Sequence, residues 1–472
     1  MSGRAFAGTS VLDDSGLALA LAPALTPDGI DDDPSFFHGF ATHPVVVAQG
    51  LLALADITAT RYFQYVPSNE RDPVLTAHGD RLRAEVFSAC NSVYARLDVL
   101  QSGLNGGEIG HGTTNVDINL STRTALSKVR RSELLHLDVG TEGLRASTPT
   151  ATAVERPVDM PDRWVHALGN AAEMHHSAEA VFTLDRTQAR QFIAGLPNVT
   201  AKAERGWLVP DRSGARLSRR EVPGGVYVNG LNRLDVLRRM MLHVTGLTVY
   251  RCSSEDSAED LVGSRLLRRS ISEGLDSRSI TGSDGTPSLI EVDLPGARLT
   301  LGLTSEAWRG HSGEGSLLPK LADDHVLDDA ALVSAMLSFE PHLDVAWLAE
   351  ATALSADRVD GALAVLASSG RVGWDAHSRS WFHRELPDNP DRVERDNPRL
   401  KGARRLLVDG QVHRGSDGVW TVGDYRVHLH DGAATGRCTC TWYLKHGSDR
   451  GPCKHQLAAR LADRGDLPDE HR

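Results

Sequence analysis

The spacing of apolar and polar residues changes period several times along this chain, and each change marks an element. Over His43–Tyr65, the apolar residues Val45, Val46, Val47, Leu51, Leu52, Leu54, Ile57, Tyr62 and Phe63 fall on several sides of a helix. That pattern predicts a largely buried helix with Gly50 as its weak point. Over Leu82–Leu100 the period becomes two, with Tyr94, Arg96 and Asp98 alternating against Val93, Ala95, Leu97 and Val99. Such alternation predicts a strand with one apolar and one polar face. Gly103–Gly112 is glycine-rich and reads as a hairpin loop leading into a short strand over 113–119. Ser121 is the expected cap of a helix through Arg131, and Leu135, Leu137 and Val139 alternate into a turn at Gly140–Gly143.

Helices are expected at Pro161–His175, Arg186–Leu196 and Leu231–His243, with strands at Ala180–Leu184, Gly225–Val228 and Leu247–Cys252. Leu289–Val292 and Ala297–Leu303 read as a hairpin around Pro295-Gly296. Residues 43–327 thus form an α+β body interrupted by a polar stretch at 253–287. The Asp-, Pro- and Gly-rich residues 1–42 read as disordered or loop-rich.

Residues 328–385 carry a second pattern. Three helices fit at Asp328–Phe339, Asp344–Thr352 and Ala356–Ser369, followed by two short strands around Asp375–Ser378. This order resembles a winged helix-turn-helix with its turn at Ala353–Ser355. A DNA-reading third helix should present Arg, Asn or Gln to base edges. This one offers Asp357, Arg358 and Asp360, so a packing or protein-docking role fits it better. The wing itself is more basic, with Arg371, His377, Arg379, His383 and Arg384. Residues 386–403, with Pro387, Pro390 and Pro398, read as a linker.

The chemistry sits in the last part of the chain. Trp420, Val422, Tyr425, Val427 and Leu429 flank a Gly423-Asp424 turn and predict a hairpin. It feeds Cys438-x-Cys440, and after twelve residues comes Cys453-x-His455, which opens a helix with Leu457 and Leu461 on one side. Three thiolates and one imidazole are the donor set of a closed tetrahedral zinc site. With four positions filled, one Zn²⁺ leaves about −1 formal charge and no place for a catalytic water, so the metal is structural. A module this small buries little core, so metal binding is coupled to its folding.

This ligand pattern resembles the SWIM zinc finger: Cys-x-Cys, a variable gap, Cys-x-His. The resemblance implies a ββα module over 404–465, with the first pair on a hairpin and the second at a helix start. It also implies a role in binding DNA or proteins.

Charge sharpens that picture. The chain has 472 residues and a net charge of −11. Residues 399–460 nevertheless hold eleven basic and five acidic residues, so a basic module sits on an acidic body. Arg437, Trp442, Lys445, Arg450, Lys454 and Arg460 surround the ligands and are the candidate partner contacts, to DNA or RNA or to a protein. The opposing reading is that Trp442 and Tyr443 only cover the metal. No apolar run is long enough for a membrane helix, and the N-terminus lacks a secretory pattern. A cytoplasmic protein is expected. The arginine-over-lysine skew points to a GC-rich bacterial genome.

Other candidates have plainer readings. His175 and His176, with Glu173, lie on a helix where neighbours point about 100° apart and do not share an ion. His428-x-His430 reads as surface histidines, and Gly106–Gly112 and Ser312–Gly315 as glycine-rich loops. No paired-carboxylate, phosphate-loop or zinc-protease motif is present. The function expected is therefore a zinc-binding, non-catalytic adaptor or regulatory protein. The alternative is an enzyme whose site lies in the body, around Thr113, Thr114, Asn115 and Asp117, with the zinc module as its targeting device.

Overall fold

The computed structural model describes residues 11–13, 16–18, 24–26, 29–31, 35–63, 66–67, 73–158, 162–252, 286–311, 325–337, 340–384, 386, 397–429, 436–447 and 451–464. Its centre is an eight-stranded, wholly antiparallel sheet. The strand order is His111–Asn115, Val74–His78, Arg81–Phe87, Val93–Leu100, Ala297–Leu303, Ser288–Leu294, Gly246–Cys252 and Ala178–Asp185. The α+β class expected from the sequence is borne out, with several separate sheets and helices between them.

The helix Pro44–Thr58 covers one face of this sheet. Twelve of its residues are buried, as its dispersed apolar pattern requires. Gly50 is where it crosses the sheet: a Cβ there would meet Leu97 Cδ2 at 2.7 Å. The residue that weakens the helix locally is thus what lets it approach Val93–Leu100.

The other face runs against expectation. Tyr94, Arg96 and Asp98 are as buried as Val93, Ala95 and Leu97. Tyr94 lies against His175 of the body helix Asp162–His176, and Arg96 and Asp98 are covered by the unit that follows the body. Its helices Val326–Ser334, Val345–Thr352 and Ala356–Ser368 precede the antiparallel strands Val372–Asp375 and Ser380–His383. Ala356–Ser368 packs against the body helix Asp162–His176, where a Cβ on Gly169 would stand 2.4 Å from Ala367 O. His383 and Arg384, expected in a basic wing, are buried against the sheet.

Several local expectations are corrected. Residues 35–41, read with the loop-rich N-terminus, form the strand Ser35–Ala41, in which Phe36 and Phe37 are buried. It lies in a second, five-stranded sheet with Leu104–Ile109, His136–Gly140, Gly143–Ser147 and Thr152–Glu155. Gly103–Gly112 is accordingly not a loop, because Leu104–Ile109 pairs with Ser35–Ala41. A Cβ on Gly107 would stand 2.1 Å from His38 O, so that glycine permits strand approach. Asn119, rather than Ser121, caps the helix Leu120–Ser127 by accepting from the Ser121 and Thr122 N–H groups.

Leu231–His243 breaks into a 3₁₀ turn, Leu231–Leu234, and a short helix, Leu237–Met240. There Asn232 Nδ2 donates to Tyr62 O and Val199 O, and Arg233 Nη1 to Ser92 O, so these side chains serve distant backbone. A three-stranded sheet of Gly214–Ser218, Gly206–Asp211 and Val226–Val228 includes two strands that hydrophobic period did not reveal.

Candidate metal centre

The C-terminal module is a four-stranded antiparallel sheet with three helices. Its strands run in chain order: Val412–Arg414, Trp420–Val422, Tyr425–Leu429 and Gly436–Cys438. The helix Pro398–Val408 packs against Lys454–Arg464, burying Leu400, Ala403 and Leu407 with Leu457, Ala458 and Leu461. Residues 398–403, expected as linker, are the first turns of that helix. Pro398 sits in its first turn, where the missing N–H costs nothing.

Cys438 ends the strand Gly436–Cys438, opposite Val427. Cys440 is not on that strand. It caps the short helix Thr441–His446, its sulfur accepting from the Tyr443 N–H at 3.4 Å. Cys453 lies just before the helix Lys454–Arg464, and His455 lies in its first turn. All four side chains are buried. One ligand atom from each lies within 4.8 Å of the others, the one such group among the described residues. His455 Nδ1 stands 3.9 Å from both Cys438 Sγ and Cys453 Sγ. Tetrahedral zinc, with bonds of about 2.3 Å to sulfur and about 2.0 Å to nitrogen, sets such atoms about 3.6 Å apart. The donor set and its spacing fit one structural zinc ion.

The thiols are primed unequally. A hydrogen bond from Cys438 holds the Cys453 thiol down at about 4, and the same contact pushes Cys438 up. Burial pushes Cys440 up. Zinc displaces the remaining thiol protons, so loading releases them.

A set of supports holds the ligands in place. Gln456, itself buried, accepts from the Cys453 N–H at 2.9 Å and donates to Gly436 O at 2.7 Å. It ties the helix start to the strand that carries Cys438. The Tyr425 ring lies 4.6 Å from that of His455. Arg399 donates to Pro452 O at 3.0 Å and sits 4.9 Å above the Trp442 ring.

Residues 425–462 match the SWIM zinc finger family.

No curated protein matches the chain. Loose structural likenesses include the PCNA2–PCNA3 complex of Sulfolobus tokodaii, at 8% identity and a TM-score of 0.37. Proliferating cellular nuclear antigen of Entamoeba histolytica shows 9% identity and a TM-score of 0.34. In each case 57% of this chain covers 99% of the other, at scores below the level of a shared fold.

Around the SWIM site, Arg437, Lys445 and Lys454 are exposed and Arg460 is half-buried. Arg450 lies outside the described residues, as do His430, Ser312–Gly315 and most of 253–287. Trp442 is engaged within the module by Arg399 and by His446, 5.1 Å away. Lys401 joins the exposed cations and was hidden by the linker reading. The amphipathic spacing of Leu400, Ala403 and Leu407 was the available signal.

Elsewhere, His175 is buried between Tyr94 and His311, and His176 stacks 4.4 Å from Trp374, so the two histidines face different surroundings. Thr113 Oγ1 donates to Thr76 Oγ1 at 3.4 Å, and Asn115 Nδ2 to Val158 O at 3.2 Å. No helix among the described residues is long and apolar enough to cross a membrane.

Proposed function

We propose that this chain is a zinc-dependent, non-catalytic adaptor whose SWIM module binds nucleic acid through the phosphate backbone. The observation that carries this reading is the distribution of cations. Arg405, Arg414 and Arg426 pair with Asp409, Asp463 and Asp417. Lys401, Arg437, Lys445 and Lys454 are exposed and have no carboxylate partner among the described residues. They surround a metal site whose ligands are complete, so the zinc shapes the surface and has no open position for chemistry. The aliphatic stem of Lys454 lies beside Gly402, which brings two helix starts and their cations together. Unpaired cations on a fixed frame favour a polyanion, and the affinity they supply depends on salt.

The test is binding of the full chain to single- and double-stranded DNA and RNA over a salt series, with zinc or with chelator. Zinc-dependent binding that weakens steeply with salt is the expected result. No binding at low salt would exclude this reading and move the module to a protein partner.

A further inference from the structure

A second basic feature lies in the body, far along the chain from the zinc module. An open cleft of about 330 Å³ is lined by the start of the helix Pro44–Thr58, by Arg131, by Arg186 and Arg190, and by His243. The volume is at the low end of small-ligand sites. Among the described residues, its lining contains three arginines and two histidines, His43 and His243, and no carboxylate. Another cleft in the body, about 660 Å³, differs in kind. Its Asp56 already pairs with Arg123 and Arg239.

Three further observations point to a missing anion. Arg186 and Arg190 are four apart on the helix Arg186–Ala194, where like charges repel. Arg190 is held to the wall by donating from Nη2 to Leu242 O at 2.6 Å, yet its Nε–H is buried without a hydrogen-bond partner among the described residues. Finally, the helix Pro44–Thr58 has no side-chain cap at His43 and no acidic residue in its first turn. Its N-terminal partial positive charge therefore adds to that of the arginines. Partial burial, and then the positive charges of Arg131, Arg190 and His43, hold His243 below its usual range. An uncompensated cluster of this kind costs stability unless something is bound there.

We propose that this cleft is a binding site for a phosphorylated small molecule, with the phosphate held by Arg131, Arg186 and Arg190 at the N-terminus of the helix Pro44–Thr58. Guanidinium groups suit this ligand because they offer paired donors to phosphate oxygens. The site is independent of the zinc module and of the reading given to it.

The experiment is calorimetric titration of the full, zinc-loaded chain at low ionic strength with pyrophosphate, ADP and adenosine. Saturable binding of pyrophosphate and ADP, with none of adenosine, is the expected result. Arg131 and Arg186 are exposed, so Arg131→Glu/Arg186→Glu should fold and, without ligand, melt no lower than the parent does. It should lose at least about a hundredfold in affinity, and the milder Arg186→Gln about tenfold. Cys453→Ser, which disables the module, should leave pyrophosphate binding unchanged. The proposal is overturned by no pyrophosphate binding at millimolar concentration, or by equal affinity in the double variant. Adenosine binding as tightly as ADP, or loss of pyrophosphate binding in Cys453→Ser, would overturn it as well.

Discussion

Arg384 donates twice to Glu85 across 299 residues of chain, Nε to Oε2 at 2.6 Å and Nη2 to Oε1 at 2.7 Å, with both side chains buried. Tyr94 Oη donates to the same carboxylate at 2.6 Å, and Arg384 Nη1 donates to Gly370 O at 2.8 Å. The pair joins the central sheet to the hairpin unit that covers it. Removing one partner strands the other charge in the interior, which costs about 3–5 kcal/mol. Glu85→Ala should therefore destabilise the full chain by that amount in urea unfolding. Glu85→Ala combined with Arg384→Met should recover part of the loss, because no buried charge is left unpaired. An additive double variant would argue against coupling between the two residues.

Asp375 stands at the centre of the same contact surface. It accepts from Arg83 Nη2 at 2.9 Å and lies 3.0 Å from Arg96 Nη2, while Asp98 takes the Nε groups of both arginines. Burial alone would raise its pKa, but Arg96, Arg83 and Arg81 outweigh that and hold the carboxyl far below the usual carboxylate range. Because the folded pKa lies below the unfolded value of about 3.9, this stabilisation is complete at neutral pH. It fades as pH drops below about 4 and is lost as pH falls through the folded value. Trp374 and Trp381 lie on this hairpin, so their fluorescence should report its release in acid. Asp375→Asn should shift that transition toward neutral pH. An unchanged acid profile would place the release elsewhere.

Gln456 touches no metal, yet it fixes the backbone on both sides of the ligand set through Cys453 and Gly436. Supporting residues of this type are worth roughly 10–100-fold in metal affinity. Gln456→Ala should lower zinc affinity within that range in competition with a chromophoric chelator, whereas Lys454→Ala should leave it unchanged. Equal affinity in both variants would mean that the sheet and helix place Cys453 without the glutamine.

Lys445 and Lys454 have exposed side chains, so charge reversal there should leave zinc content and melting unchanged. If each neutralises one phosphate, Lys445→Glu and Lys454→Glu should each weaken nucleic-acid binding. Each should also reduce the slope of log affinity against log salt by about one. Full affinity with an unaltered slope in both variants would remove these residues from the interface.

The metal ligands were legible because their signal is local. Cys438, Cys440, Cys453 and His455 fall within 18 residues, and a short hairpin and one helix start suffice to bring them together. The same holds for Pro44–Thr58, Asp162–His176 and the hairpin Ser288–Leu294 to Ala297–Leu303, whose period and turn residues lie inside each element. Glycines misled where their use was tertiary: Gly107 marks a close strand approach, and composition alone shows only flexibility.

By itself, then, the sequence determined the zinc donor set, the period of most elements and the sign of the module's charge, because each depends on neighbours along the chain. Only the tertiary structure decided what covers Tyr94, Arg96 and Asp98. Alternation states that one face of a strand is polar, and this holds whether water or Arg384 and Asp375 lie against it. The cleft of Arg131, Arg186 and Arg190 was likewise invisible beforehand. Its walls come from segments between Thr42 and Pro295, and only the folded packing of helices and strands sets those side chains beside one another.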